Sequence, residues 1–174
     1  MPLPILLGSS SAYRKSLLEK LQLPFICASP NIDESSLPNE SSDQLALRLA
    51  IAKAAALSIT FDSHLIIGSD QVCTCDGKIY GKPLTTERAK SQLREFSGRK
   101  VTFYTGICLI NSNTGNIQKD CDSYSIHFRT LSDKEITQYI SIEQPLDCAG
   151  SIKSEGLGIT LIERFEGQDP NTLI

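Results

Sequence analysis

The sequence has no tryptophan, one methionine and two histidines, and aromatics make up 6% of its 174 residues. It has no apolar run near the roughly 20 residues that a membrane-spanning helix needs. The opening stretch MPLPILLGSSS carries no basic leader and too short an apolar core for a signal peptide, so a cytoplasmic protein without a membrane partner is expected. Positive charge is also in short supply: 17 Lys and Arg against 20 Asp and Glu leave a net charge of −3. Duplex nucleic acid is gripped by a basic stripe, so no nucleic-acid partner is expected, and the few aromatics argue against an RNA-binding module. Small anionic ligands stay open, because a few local cations suffice for them. Of the six cysteines only Cys73 and Cys75 are close together, and a Cys-x-Cys pair with two isolated histidines, His64 and His127, has no zinc spacing. In a chain of this length without a secretory signal the six read as free thiols.

What remains is ordinary globular composition, 40% apolar and 21% charged, in a length that suits a single domain over residues 1–174. The segment PILLG reads as a short strand, SSS as a loop and AYRKSLLEKL as a helix with Leu17, Leu18 and Leu21 at helical spacing. PNIDESSLPNESSD reads as a loop. A long helix follows in DQLALRLAIAKAAALSIT, capped by Ser41 or Ser42, with an expected apolar stripe of Leu45, Leu49, Ala52 and Ala56. HLIIGSD is an expected buried strand ending at Asp70, and Asp76-Gly77 marks a hairpin. TERAKSQLREFSG is an amphipathic helix closed by Gly98. KVTFYTGICLI alternates Val101, Phe103, Thr105, Ile107 and Leu109, and a polar turn leads to a strand with Tyr124, Ile126 and Phe128 on one face. Ser132 and Glu135 form a capping box ahead of DKEITQYIS, and a glycine-rich loop and a last strand close the chain. About four helices alternating with six or so strands make an α/β domain.

Four places carry chemistry. A strand ending in small hydroxyl residues and feeding a helix presents free N–H groups and partial positive charge, which suits an anion; Ser9 and Ser11 add hydroxyls and Arg14 a bidentate cation. The plain alternative is that Ser11 only caps the helix. The loop lacks the Gly-Lys-Ser/Thr ending of a Walker sequence. Asp70 stands at the end of the most apolar strand, where α/β sheets bind ligands, and a carboxylate there can hold a hard cation or take a proton from water; alternatively it is a turn aspartate. Asp33, Glu34, Lys53 and Lys82 lie near these elements, with Lys53 at the border of its helix's apolar stripe, where a lysine commonly snorkels. Joined with Arg14 they would make an anion pocket with one acidic corner, suited to a polyphosphate with a divalent metal. In GSIKSEGLG the glycines permit close backbone approach, and Glu155 can accept from the edge of guanine or merely pair with Lys153 at the surface.

The stretches SSSAYRKSLLEKL, NIDES, RLAIAKA, LIIGSDQV, GKPLT, VTFYTG and KSEGLGI, in that order, resemble the Maf family of nucleotide pyrophosphatases over essentially the whole length. Gln71 directly after Asp70, and Glu155 in its loop, look most like the branch acting on 7-methyl-GTP. The resemblance implies an inosine-triphosphate-pyrophosphatase-like fold, a mixed twisted sheet with flanking helices and a cleft between two lobes. It implies hydrolysis of a nucleoside triphosphate between the α and β phosphates; the alternative readings are a pyrophosphatase for dTTP, UTP or other noncanonical nucleotides and a non-catalytic nucleotide-binding regulator of cell division. Asp70 matches the family's proton acceptor. Tyr13, Gln71 and Glu155 match base-selecting positions, and Ser9, Arg14, Glu34, Lys53 and Lys82 match motif positions lining the cleft; Ser9, Ser11, Arg14, Lys53 and Lys82 are the expected phosphate-binding residues. Asp70 and Glu34 are the expected ligands of a divalent metal, magnesium or manganese, and the family is often homodimeric. Ala12 stands where the family has proline, which leaves the helix start less preset, Lys15 stands for arginine, and Tyr13 stands for the branch's usual tryptophan. The chain stops at DPNTLI, where relatives continue into a closing helix; that absence is expected to leave apolar surface exposed.

Overall fold

The computed structural model describes residues 2–174. Its elements run β1 (Ile5–Gly8), α1 (Ala12–Glu19), β2 (Phe25–Cys27), α2 (Ser42–Ser58), β3 (Leu65–Cys75), β4 (Lys78–Tyr80), α3 (Thr86–Phe96), β5 (Lys100–Asn111), β6 (Asn116–Phe128), α4 (Asp133–Glu143) and β7 (Ile162–Glu166). The strands form one mixed sheet of order β2-β1-β3-β5-β6-β7, with β4 paired to β3, and the four helices flank it. β1 runs parallel to β2 and β3, whereas β3–β4 and β6–β7 are antiparallel. Among the described residues no helix is long and apolar enough to cross a membrane, and the six cysteines are free.

The chain divides into two compact units. The first holds the chain up to Gln71 together with Thr105–Asp122 and Ile174. Its core is Leu6, Ala50, Ala54, Leu57, Ile66, Cys108 and Ile110. The second holds Val72–Tyr104 and Ser123–Leu173, with a core that includes Leu93, Phe96, Phe103, Ile126, Phe128, Ile136 and Ile140. Aromatic edges pack there: Tyr80 meets Phe96 at 4.7 Å between ring centroids with planes at 70°.

Local chemistry sets the boundaries. Asp76 and Gly77 both take positive φ, 49° and 79°, as a two-residue hairpin between β3 and β4 requires. Gly98, at φ 69°, follows the cap of α3. Ser132 and Glu135 close the expected capping box on α4.

Four expectations are corrected. β3 does not end at Asp70 but continues to Cys75, because its second half pairs with β4. Its parallel ladder with β1 does end nearby, at Gly8 with Gly68, so Asp70 lies just past the carboxyl end of the parallel strands. The buried stripe of α2 is Leu45, Ala46, Leu49, Ala50, Lys53, Ala54 and Leu57, without Ala52 and Ala56. In β5 the buried residues are Val101 and Phe103, then Gly106, Cys108 and Ile110, so the alternation slips by one and Ile107 is exposed. Finally, β2 is a strand that the sequence pattern does not announce, three residues long and mostly exposed.

The stripe and the slip share one cause, the close seating of α2. A Cβ on Gly68 would come 2.2 Å from the Ala50 carbonyl oxygen, and one on Gly106 would come 2.4 Å from that of Ala46. Small residues on the helix therefore meet missing side chains on β3 and β5, and backbone rests on backbone. Gly68→Ala is expected to destabilise the protein by about 1–3 kcal/mol, since the obstruction is main chain that cannot rotate away. A urea-unfolding midpoint equal to wild type would contradict this seating.

Candidate active site

The first unit holds eight of the ten candidate site residues: Ser9, Ser11, Tyr13, Arg14, Glu34, Lys53, Asp70 and Gln71. Asp70 follows Gly68 by two positions in β3, so strand alternation aims both at α2. Lys53 lies on α2 between Ala50 and Ala54, the two residues pressed on Gly68. The result is an ion pair, with Lys53 Nζ donating to Asp70 Oδ1 at 2.5 Å. Side-chain exposures of 11% for Lys53 and 12% for Asp70 place it nearly out of water. Lys53 is thus part of the buried stripe and does not snorkel from its border. Its ammonium also reaches Glu34 Oε1 at 2.8 Å, and Glu34 is 60% exposed. One cation therefore joins a buried carboxylate to a solvated one.

Burial pushes the Asp70 carboxyl above its ordinary 3.8; Lys53 and Arg14 pull it down by less, and Glu34 adds to the rise. Burial likewise lowers Arg14, against the attraction of Asp70 and Glu34, and a guanidinium stays charged regardless. Arg14 Nη1 donates to the Ser69 carbonyl at 2.7 Å and Nε to a main-chain oxygen of Ile174 at 3.2 Å. These bonds fix the guanidinium plane beside the residue that precedes Asp70. Ser11 caps α1, its Oγ accepting from Arg14 N at 3.3 Å, while Ser9 Oγ accepts from Ser11 N at 3.1 Å. The loop is therefore ordered by its own hydroxyls as well as presenting a helix start. Tyr13 is half-buried in the first turn of α1. Gln71 alternates to the face opposite Asp70 and donates to Thr105 Oγ1 at 3.2 Å.

Two residues the sequence reading passes over hold Glu34 in place. Arg48 of α2 grips Glu40 through Nε at 2.5 Å and Nη2 at 2.9 Å, and Nη2 also donates to the Ser35 carbonyl at 2.9 Å. Glu40 in turn accepts from Leu37 N at 3.0 Å, and Asp33 accepts from Ser35 N at 2.9 Å. The loop carrying Glu34 is thereby tied to the helix carrying Lys53. Their sequence signal is faint: an acid at the end of a polar loop and an arginine two turns into the next helix.

Lys82 and Glu155 belong to the second unit. Lys82 is exposed, Pro83 after it is fully buried, and Leu84 takes φ 62° with its N–H on the Leu146 carbonyl at 3.0 Å. A bulky residue at positive φ stores strain of order 1–3 kcal/mol, held here by its neighbours. Glu155 is exposed, in the loop after α4.

Among the described residues no three or more His, Cys, Asp and Glu side chains converge as a ready metal cage. Asp70 and Glu34 meet at the Lys53 ammonium. Two hard carboxylates completed by phosphate oxygens and water is the donor set that magnesium takes at nucleotide sites, so these residues fit such an ion.

The family model described as Maf-like protein matches residues 4–174. The chain belongs to the Maf family. Maf proteins are in general nucleotide pyrophosphatases, hydrolases of nucleotide metabolism, and the mixed α/β sheet agrees with that membership. In this Maf chain a carboxylate just past the parallel strands, two cations and a helix start share one unit.

The clasp on the Glu34 loop is open to an acid titration. Arg48, then the Leu37 N–H, hold the Glu40 carboxyl down to about 2, against an ordinary 4.5. A depressed folded pKa contributes stability that is present above 4.5 and lost as pH falls through about 2. Glu40→Gln should therefore flatten the dependence of unfolding free energy on pH in that window. A slope identical to wild type would show that the clasp does not form.

Proposed function

We propose that this chain hydrolyses the α–β phosphoanhydride of a nucleoside triphosphate, 7-methyl-GTP by preference, to the monophosphate and pyrophosphate. The observation that carries the reading is the buried Asp70 carboxylate, raised in pKa and set against Lys53 with Arg14 nearby. A carboxylate poised toward proton uptake is what a general base requires, and flanking cations are what a polyphosphate requires.

Water attacks the α-phosphorus, its oxygen forming the new bond as the bond to the bridging oxygen breaks and pyrophosphate leaves. Asp70 takes the proton from that water. Lys53 and Arg14 hold the charge that spreads over the phosphoryl oxygens, and the Ser9–Ser11 loop adds hydroxyl and backbone donors. Lys82 is a further phosphate-binding group in this reading. A divalent magnesium or manganese ion would be held by Glu34, Asp70 or both, and would supply charge neutralisation at the phosphoryl oxygens. One carboxylate does not both bind the ion and deprotonate the same water; the raised pKa of Asp70 favours the proton role, leaving the solvated Glu34 to the ion.

The preference for 7-methyl-GTP rests on resemblance together with chemistry. Glu155 can accept from the imino and amino edge of guanine, and Tyr13 can stack on a cationic methylated purine. Gln71 is the third base-selecting position.

Pyrophosphate release with magnesium over 7-methyl-GTP, GTP, dTTP and UTP tests the reading. Hydrolysis should be fastest for 7-methyl-GTP. Asp70→Asn should lower turnover by roughly 10²–10⁴-fold while nucleotide binding persists. The acid limb of kcat/KM should titrate above 3.8, since Asp70 must be ionised to act and its pKa is raised. Wild-type turnover by Asp70→Asn would remove the base assignment. Binding without release of pyrophosphate from any nucleotide would point to a non-catalytic nucleotide-binding protein.

A further inference from the structure

The segment Lys153–Gly158, which carries Glu155, has few side chains of its own to hold it. Within the segment, Gly156 N and Gly158 N both donate to the Lys153 carbonyl, at 3.2 and 3.1 Å. The following turn adds Ile159 N on the Gly156 carbonyl at 3.4 Å and Thr160 Oγ1 on the Leu157 carbonyl at 2.7 Å, and three further bonds come from the last two turns of α4. Lys153 N donates to the hydroxyl of Tyr139 at 3.0 Å, and Lys153 Nζ donates to the Glu143 carbonyl at 2.9 Å. Leu157 N donates to Glu143 Oε2 at 2.7 Å. The ammonium thus sits at a helix C-terminus, where cations are favoured, and the carboxylate folds back over the loop. Glycine makes room for that carboxylate: a Cβ on Gly156 would come 2.7 Å from Glu143 Oε2. Tyr139 is buried, 4% exposed, so its hydroxyl has a fixed position in the second unit's core.

The three bonds bracket Glu155, two at Lys153 and one at Leu157. Two residues that need never touch a nucleotide therefore define where the Glu155 backbone runs. We propose that Tyr139 and Glu143 are positioning residues for base discrimination, setting the conformation of the loop from which Glu155 reads the base. This rests on the base-reading role of Glu155 given above. Glu143 acts through its carboxylate oxygen, Tyr139 through its hydroxyl, and neither takes part in proton or phosphoryl transfer.

The test compares Tyr139→Phe, Glu143→Ala, Glu143→Gln and Glu155→Gln by kcat and KM on 7-methyl-GTP, GTP and UTP, with amide hydrogen exchange of residues 153–158. Loss of a charge-assisted bond from the loop should raise KM for the preferred nucleotide by roughly tenfold in Glu143→Ala, leaving kcat within about twofold. Glu143→Gln keeps a carbonyl acceptor for Leu157 N and should restore most of the discrimination. Tyr139→Phe should fall between them, and loop amides should exchange faster in Glu143→Ala than in wild type. If Glu155→Gln alters discrimination but Glu143→Ala and Tyr139→Phe do not, the positioning role is overturned and base reading stands. If the α4 variants alter it and Glu155→Gln does not, the assignment of Glu155 falls and the proposal with it, and the α4 residues act on discrimination by another route. No change in any variant overturns both. Should wild type release no pyrophosphate, equal exchange rates in Glu143→Ala and wild type would still overturn the anchoring.

Discussion

One ammonium group between two carboxylates organises the first unit. Lys53 is carried into a nearly dry position because α2 lies flush on β3, and α2 lies flush because Gly68 offers no side chain to Ala50 and Ala54. The two arms of the bridge differ in weight. The arm to Asp70 is buried, and leaving that carboxylate without its cation would cost roughly 3–5 kcal/mol. The arm to Glu34 ends on a solvated group, where an ion pair is worth about 1 kcal/mol or less. The buried arm therefore fixes the geometry, and the exposed arm can be exchanged. A carboxylate that releases its partner cheaply is suited to taking up another cation.

Environment divides the acids of this region into distinct roles. Asp70, stripped of water, is shifted toward holding a proton. Glu40 and Asp33, facing Arg48 and backbone N–H groups, are shifted the other way and serve as fasteners. Chemically similar side chains thus become a base candidate and two structural anchors, and the direction of each shift follows from what surrounds the carboxyl. The Arg48–Glu40 clasp links the two tasks, because it ties the loop bearing Glu34 to the helix bearing Lys53.

Much of this was legible in the residues, for reasons of locality. Helix starts at Ser11, Ser41 and Ser132, the Asp76-Gly77 hairpin and the Gly98 stop are each decided by a few neighbouring residues, and each appears as read. The misread features depend on partners distant in the chain. β3 runs past Asp70 because β4 is there to pair with it, β5 slips phase where α2 rests on Gly106, and the stripe of α2 turns because Gly68 favours alanines beneath it. The candidate site divides in the same way. Asp70, Lys53, Glu34, Arg14 and the Ser9–Ser11 loop stand together in one unit, whereas Gln71 faces away from Asp70. Glu40 and Arg48 escaped notice because a clasp has no spacing rule; only the folded loop brings them together.

The most direct measurement is the titration of the Asp70 carboxyl, followed by carbon-13 NMR in the wild type and in Lys53→Met. Burial beside Lys53 and Arg14 predicts a midpoint above 3.8 in the wild type and a higher one when the Lys53 ammonium is removed. A wild-type midpoint at or below 3.8, or one that does not move in Lys53→Met, would contradict the bridge on which the site is built.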